Sequence, residues 1–190
     1  MKSCLIVIDA QESFRHRPYF KPDDMPAYLA AQNALIAGCV AAGVPVVRVF
    51  HVDGPVRAEN DFAIESGRVR PIEGLLDFDA ALTVTKRRHS ALVGTGLDVW
   101  LTQQGIGRLI VSGIRTEQCC ETTARHASDL GWAVDYVLDA TLTFDMTQPD
   151  GRPLAAADIR ARTATVLQGR FAQVCTAGEA LARVGAPTIA

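Results

Sequence analysis

The stretch Val111-Ser-Gly-Ile-Arg-Thr-Glu-Gln-Cys-Cys-Glu-Thr-Thr-Ala-Arg125, preceded by Arg108-Leu-Ile, decides how the rest of the chain is read. The apolar run 109–111 has strand length, Gly113 marks a tight turn, and Thr116 is placed to cap a helix running to about residue 130. That helix carries Cys119 in its first turn, where unpaired N–H groups and the positive end of the helix dipole favour a thiolate. Cys120 points roughly 100° further round the helix and is not expected to share the role. The other reading of a lone cysteine is a small buried hydrophobe, and it suits Cys4, Cys39 and Cys175, each in or beside an apolar element.

Working outward, apolar runs alternate with helix-patterned segments. Strands are expected at 5–8, 44–49, 81–85, 109–112, 132–138 and 171–175, and helices at 27–42, 97–104, 116–130, 155–167 and 177–184. Such alternation implies an α/β fold with a parallel sheet and right-handed crossovers. With 190 residues, no internal repeat and no linker, the chain reads as a single domain over 1–190. The segments 15–26, 54–78 and 141–153 read as loops, the second an excursion over the strand ends where substrate contacts tend to lie.

A formal net charge of −2 and a 48% hydrophobic composition give no sign of disorder or of a polyanion partner, so nucleic acid is not expected. Five cysteines without loop-rich spacing suit a reduced, cytoplasmic compartment. The apolar run 4–8, stopped by Asp9, is too short for a signal peptide or a membrane span, so no membrane partner is expected.

In a parallel sheet, Asp9, Lys86 and Cys119 emerge at one edge from three strand ends, which is where α/β proteins bind ligands. For Asp9 the alternative is a turn cap. His51 and Asp53 follow the second strand; two ligands do not make a metal site, and the pair reads as polar residues at a strand end. Gly94-Thr-Gly96 lacks the third glycine and the preceding strand of a dinucleotide loop.

Four pieces together resemble the isochorismatase-like cysteine hydrolases: Ile8-Asp9-Ala-Gln11-Glu-Ser-Phe14; Lys86-Arg-Arg-His-Ser90-Ala-Leu; Gly94-Thr95-Gly96-Leu97; and Gly113-Ile-Arg-Thr116-Glu-Gln-Cys119-Cys-Glu-Thr-Thr123-Ala-Arg125-His-Ala127. The resemblance covers about residues 5 to 145. It implies a six-stranded, mostly parallel sheet flanked by helices on both faces, a three-layer Rossmann-like arrangement. It also implies a catalytic trio of Asp9, Lys86 and Cys119, and a non-proline cis peptide at Ile114–Arg115. The backbone N–H groups of Arg115 and Cys119 would then form an oxyanion hole. The activity implied is hydrolysis of a C–N bond in a small amide or ureido compound through a thioester, without a cofactor and in a homo-oligomer.

Two departures narrow this. The nicotinamidase branch carries Asp-x-His with a further nearby histidine as a metal site, whereas His51-x-Asp53 reverses the order, so no metal is expected. The branch that hydrolyses isochorismate lacks the cysteine. Substrate contacts are expected from Phe14, Arg87, Arg88 and Phe144, with Arg115 also near the rim, the guanidinium groups being suited to a substrate carboxylate. Phe20 and Trp100 are further pocket candidates, with core packing the alternative. Competing classes are a non-catalytic binding or scaffold member of the same fold and a flavodoxin-like nucleotide or flavin binder.

Overall fold

The computed structural model describes residues 1–185; residues 186–190 of the expected domain lie outside it. In chain order the principal elements are β1 (Ser3–Ile8), α1 (Met25–Ala41), β2 (Val46–His51), β3 (Leu82–Lys86), α2 (Leu97–Gln103), β4 (Arg108–Ile114), α3 (Glu121–Asp129), β5 (Ala133–Leu142), β6 (Met146–Thr147), β7 (Pro153–Leu154), α4 (Ala156–Leu167), β8 (Gln173–Cys175) and α5 (Ala177–Arg183). Six strands form one sheet in the order β3-β2-β1-β4-β5-β8, and every pairing is parallel.

The buried strand β1 shows why helices cover both faces. Leu5 and Val7 join a core with Leu35 and Ile36 of α1 and Leu181 of α5. Cys4, Ile6 and Ile8 point the other way, into a second core with Leu97 and Leu101 of α2, Ala124 of α3 and Leu167 of α4. Alternate side chains of a strand face opposite sides, so a continuous apolar run needs a helix layer on each.

Strand order reverses at β1, with β2 and β3 laid to one side and β4, β5 and β8 to the other. Adjacent crossovers leaving in opposite directions open a crevice at the carboxyl ends of β1 and β4. Gly113 makes this junction possible. It pairs with Ile8, has φ 125°, and a Cβ there would lie 1.9 Å from the Ile8 carbonyl oxygen.

The expected elements all form, with boundary changes. β2 runs on to His51 and β3 to Lys86, so both residues lie in strands rather than after them. β5 continues to Leu142, past Asp139. That carboxylate accepts the Ala177 N–H at the start of α5, so it serves a helix end and not the rim. The expected loop 141–153 holds the end of β5 and the antiparallel β6–β7 hairpin. Among the described residues no helix is long and apolar enough to cross a membrane.

Candidate active site

Asp9 leaves β1 with φ 50°, a left-handed conformation that aspartate tolerates better than most residues. Its carboxylate is sealed from solvent and lies 2.7 Å from the Lys86 ammonium at the end of β3. That ammonium, with its side chain fully buried, also donates to Cys119 Sγ at 3.3 Å. The structure therefore brings together the acid, the cation and the thiol from three strand ends.

Cys119 sits differently from the expectation. Residues Thr116–Cys120 form a π-helical turn ahead of α3, and Arg115 rather than Thr116 holds the N-cap position. Gln118 and Cys120 both donate to the Arg115 carbonyl, passing over Cys119. The Thr116 hydroxyl bonds to Thr141, and its carbonyl accepts from Tyr136 at 2.6 Å, tying the turn to β5. Wide turns of this kind recur at functional sites. The Ile114–Arg115 peptide is cis.

The turn is also locked to the Lys86 segment. Thr123 donates to the Cys119 carbonyl and accepts from Ala91 N–H, while the Ser90 hydroxyl meets His126 Nδ1 at 2.8 Å. Thiol and ammonium thus share a frame.

Electrostatics correct one expectation outright. Burial pushes the Cys119 thiol up to about 12, the neighbouring Asp9 adds to the rise, and Lys86 only partly opposes it. The dipole argument underestimated desolvation, which disfavours the charged form of any sealed group. Burial likewise raises the Asp9 pKa against the pull of Lys86. For Lys86, burial pulls downward but Asp9 and Cys119 outweigh it and hold the amine protonated. Cys4 and Cys39, also pushed up to about 12 by burial, have no such cluster beside them.

A cavity of about 350 Å³ opens over the trio. Asp9 and Cys119 form part of its wall, with Phe14, Tyr19, Phe62, His51, His89, Arg17, Asn60 and Gln118 among the rest. Asn60 and Phe62 come from the 54–78 excursion. A larger, open cleft of about 710 Å³ near Thr102, Ile106 and Trp132 lies at the opposite edge of the sheet, away from the trio. Of the expected contacts, Phe14 lines the cavity. Phe144 stands behind it, buried, packed on Phe14, Tyr19 and Phe20.

Arg87 and Arg88 are exposed and do not line the cavity. The Arg115 guanidinium pairs with Glu117 at 3.0 Å and lies over Tyr19. Trp100 packs against the second core. The arginine that reaches the cavity is Arg17, which also pairs with Asp61, itself held by Arg68.

His51, His89, Tyr19, Asn60, Phe62 and Gln118 were not singled out as site residues from sequence. His51 was read as a polar strand-end residue, yet its Nδ1 lies 3.2 Å from Lys86 Nζ. His89 Nδ1 lies 3.7 Å from Cys119 Sγ. A histidine at the end of a strand neighbouring β1 was the available signal. Among the described residues no group of three or more metal-ligating side chains is assembled.

The isochorismatase domain model matches residues 3–171, and the chain belongs to the isochorismatase family. A solved structure of an isochorismatase-family protein from Chromobacterium violaceum has a TM-score of 0.87 and 28% identity, over 97% of this chain and 94% of that one. The isochorismatase family protein YrdC of Bacillus subtilis is 27% identical over 180 residues, 92% of each chain. Nicotinamidase 3 of Arabidopsis thaliana is 44% identical over 62 residues, 33% of this chain and 31% of that one.

Proposed function

We propose that this protein is a cysteine hydrolase of a small-molecule C–N bond, amide or ureide, with Cys119 as nucleophile, Asp9 as general base and acid, and Lys86 as their electrostatic anchor. The observation that carries the reading is the sealed ammonium placed 2.7 Å from Asp9 and 3.3 Å from Cys119 Sγ, under a cavity that both line. The partial likeness to a nicotinamidase also supports amide chemistry.

At rest the thiol keeps its proton. Moving that proton from Cys119 to Asp9 leaves the three-residue cluster neutral, so no net charge is created in a dry site. The sulfur attacks the substrate carbonyl carbon, and the oxyanion is held by the N–H groups of Arg115 and Cys119. Collapse breaks the C–N bond as Asp9 gives its proton to the departing nitrogen. A water, deprotonated by Asp9, then cleaves the thioester, releasing the acid and restoring the thiol.

A volume near 350 Å³ is at the lower end for ligand pockets and limits the substrate to a small molecule. The walls combine the rings of Phe14, Tyr19 and Phe62 with Arg17, Asn60 and Gln118. If the substrate carries a carboxylate, Arg17 is the cavity-lining guanidinium that meets it. Ammonia or amine release from a panel of small amides and ureides tests the reading. Turnover of at least one compound that is abolished in Cys119→Ala and Lys86→Ala is expected; undiminished turnover in either variant would remove the assignment.

Binding without turnover is the second reading, favoured by one observation, the burial of the Cys119 thiol, which raises its pKa. Saturable binding of a panel compound with no acyl-enzyme mass and no release of amine would select it.

A further inference from the structure

One group beside the trio has no part in the chemistry above, the imidazole of His51. Lys86 has three N–H donors and, being fully buried, cannot send one to water. Cys119 Sγ accepts one at 3.3 Å, and the Asp9 carboxylate faces the ammonium as its ion-pair partner, with Oδ2 at 2.7 Å. His51 Nδ1, at 3.2 Å, is the third partner. An ammonium cannot accept a hydrogen bond, so this contact requires a lone pair on Nδ1 and places the ring proton on Nε2.

The backbone holds the ring in that place. Gln11, fully buried after β1, accepts the His51 N–H at 2.7 Å and donates to its carbonyl at 3.0 Å. Phe62 meets the ring edge to face, with centroids 5.7 Å apart. Nε2 has no hydrogen-bond partner among the described residues and is not among the sealed polar atoms, and the residue lines the cavity.

We propose that His51 is the positioning residue of this site: as the neutral Nε2–H tautomer it completes the acceptor set of Lys86, fixes the ammonium between Asp9 and Cys119, and turns a hydrogen-bond donor toward the substrate cavity. The inference rests on the reading of Cys119 as the nucleophile, and it adds that a substrate presents a hydrogen-bond acceptor to Nε2. The charged and titratable groups acting on the ring are Lys86, Asp53 and His89; burial and Lys86 together draw the imidazole down to about 4, so it is neutral at working pH.

The experiment has two readouts on the full chain. The first is the rate of Cys119 alkylation by iodoacetamide at pH 7.5, resolved by peptide mass spectrometry. His51→Leu and His51→Ala, which lack an acceptor, are expected to slow it about tenfold to a hundredfold, the effect of one lost hydrogen bond to a charged group. His51→Gln, whose amide oxygen replaces Nδ1 as acceptor, should stay within about twofold of the parent. Thermal melting identifies which variants are folded.

The second readout is the imidazole nitrogen NMR spectrum, with the His51 signals assigned by their loss in His51→Gln. Nitrogen shifts of the Nε2–H tautomer at pH 6.5 are expected; an Nδ1–H tautomer or an imidazolium there would overturn the proposal. So would alkylation as fast in folded His51→Leu or His51→Ala as in the parent, or as slow in His51→Gln as in those two. Absence of amine release from every compound of the panel by the parent protein would instead remove the hydrolase reading, and the NMR result would still decide the tautomer.

Discussion

Asp9 and Lys86 are each buried to within about 1% of complete exclusion from solvent, and they face one another. Removing one partner strands the other's charge in a dry site, which costs about 3–5 kcal/mol, whereas replacing both leaves no charge to strand. Asp9→Asn and Lys86→Met are therefore each expected to destabilise by that amount. The double variant should lose far less than the sum, with all three inactive. Urea unfolding checks the non-additivity. The raised Asp9 pKa has a kinetic consequence, because a general base must be deprotonated to act. The acid limb of kcat/KM should fall above the pH of an ordinary carboxylate. A limb at or below that pH would show that Asp9 is not the base.

His51 gives a stability slope of defined sign. Its folded pKa is about 4 against 6.5 for an ordinary histidine, so between those values the unfolded chain binds more protons. Its contribution is intact above about pH 6.5 and is lost as pH falls toward 4. Denaturant titrations across that window should show a shallower slope for His51→Gln than for the parent.

At the scale of elements, the site depends on how closely β4 approaches β1 and on what holds the cysteine turn. Gly113→Ala would put a Cβ against the Ile8 carbonyl in a backbone conformation that L residues rarely adopt. About 3 kcal/mol of stability is expected to be lost, with Asp9 displaced from Cys119. Thr123→Val keeps the volume but removes the acceptor for Ala91 N–H and the donor to the Cys119 carbonyl. A cost of about 1–3 kcal/mol is expected, together with slower Cys119 alkylation. Alkylation unchanged in a destabilised Thr123→Val would mean that the frame around Cys119 does not depend on this hydroxyl.

At the scale of the whole molecule, the crevice exists because crossovers leave β1 and β4 in opposite directions, and the 54–78 excursion supplies one wall of it. Apolar runs and helix patterning were enough to foresee the six strands and their layers, since burial on two faces writes itself into local composition. Polar residues at strand ends were enough to gather Asp9, Lys86 and Cys119. The same reasoning misplaced Arg87 and Arg88, because adjacency to Lys86 in sequence does not make a side chain face the cavity. It passed over His51, whose role depends on an ammonium 35 positions away. It also gave Cys119 a favoured thiolate, because a helix dipole can be read from sequence while the depth of burial cannot.

Periodicity and chain order specify the doubly covered parallel sheet and the three strand ends at which the trio stands, because both are carried locally along the chain. Tertiary structure alone decided the protonation of Cys119, the arginine that reaches the cavity and the third partner of Lys86. Desolvation and hydrogen-bond geometry are set by which distant segments close over a group, and no single stretch of the chain encodes that closure.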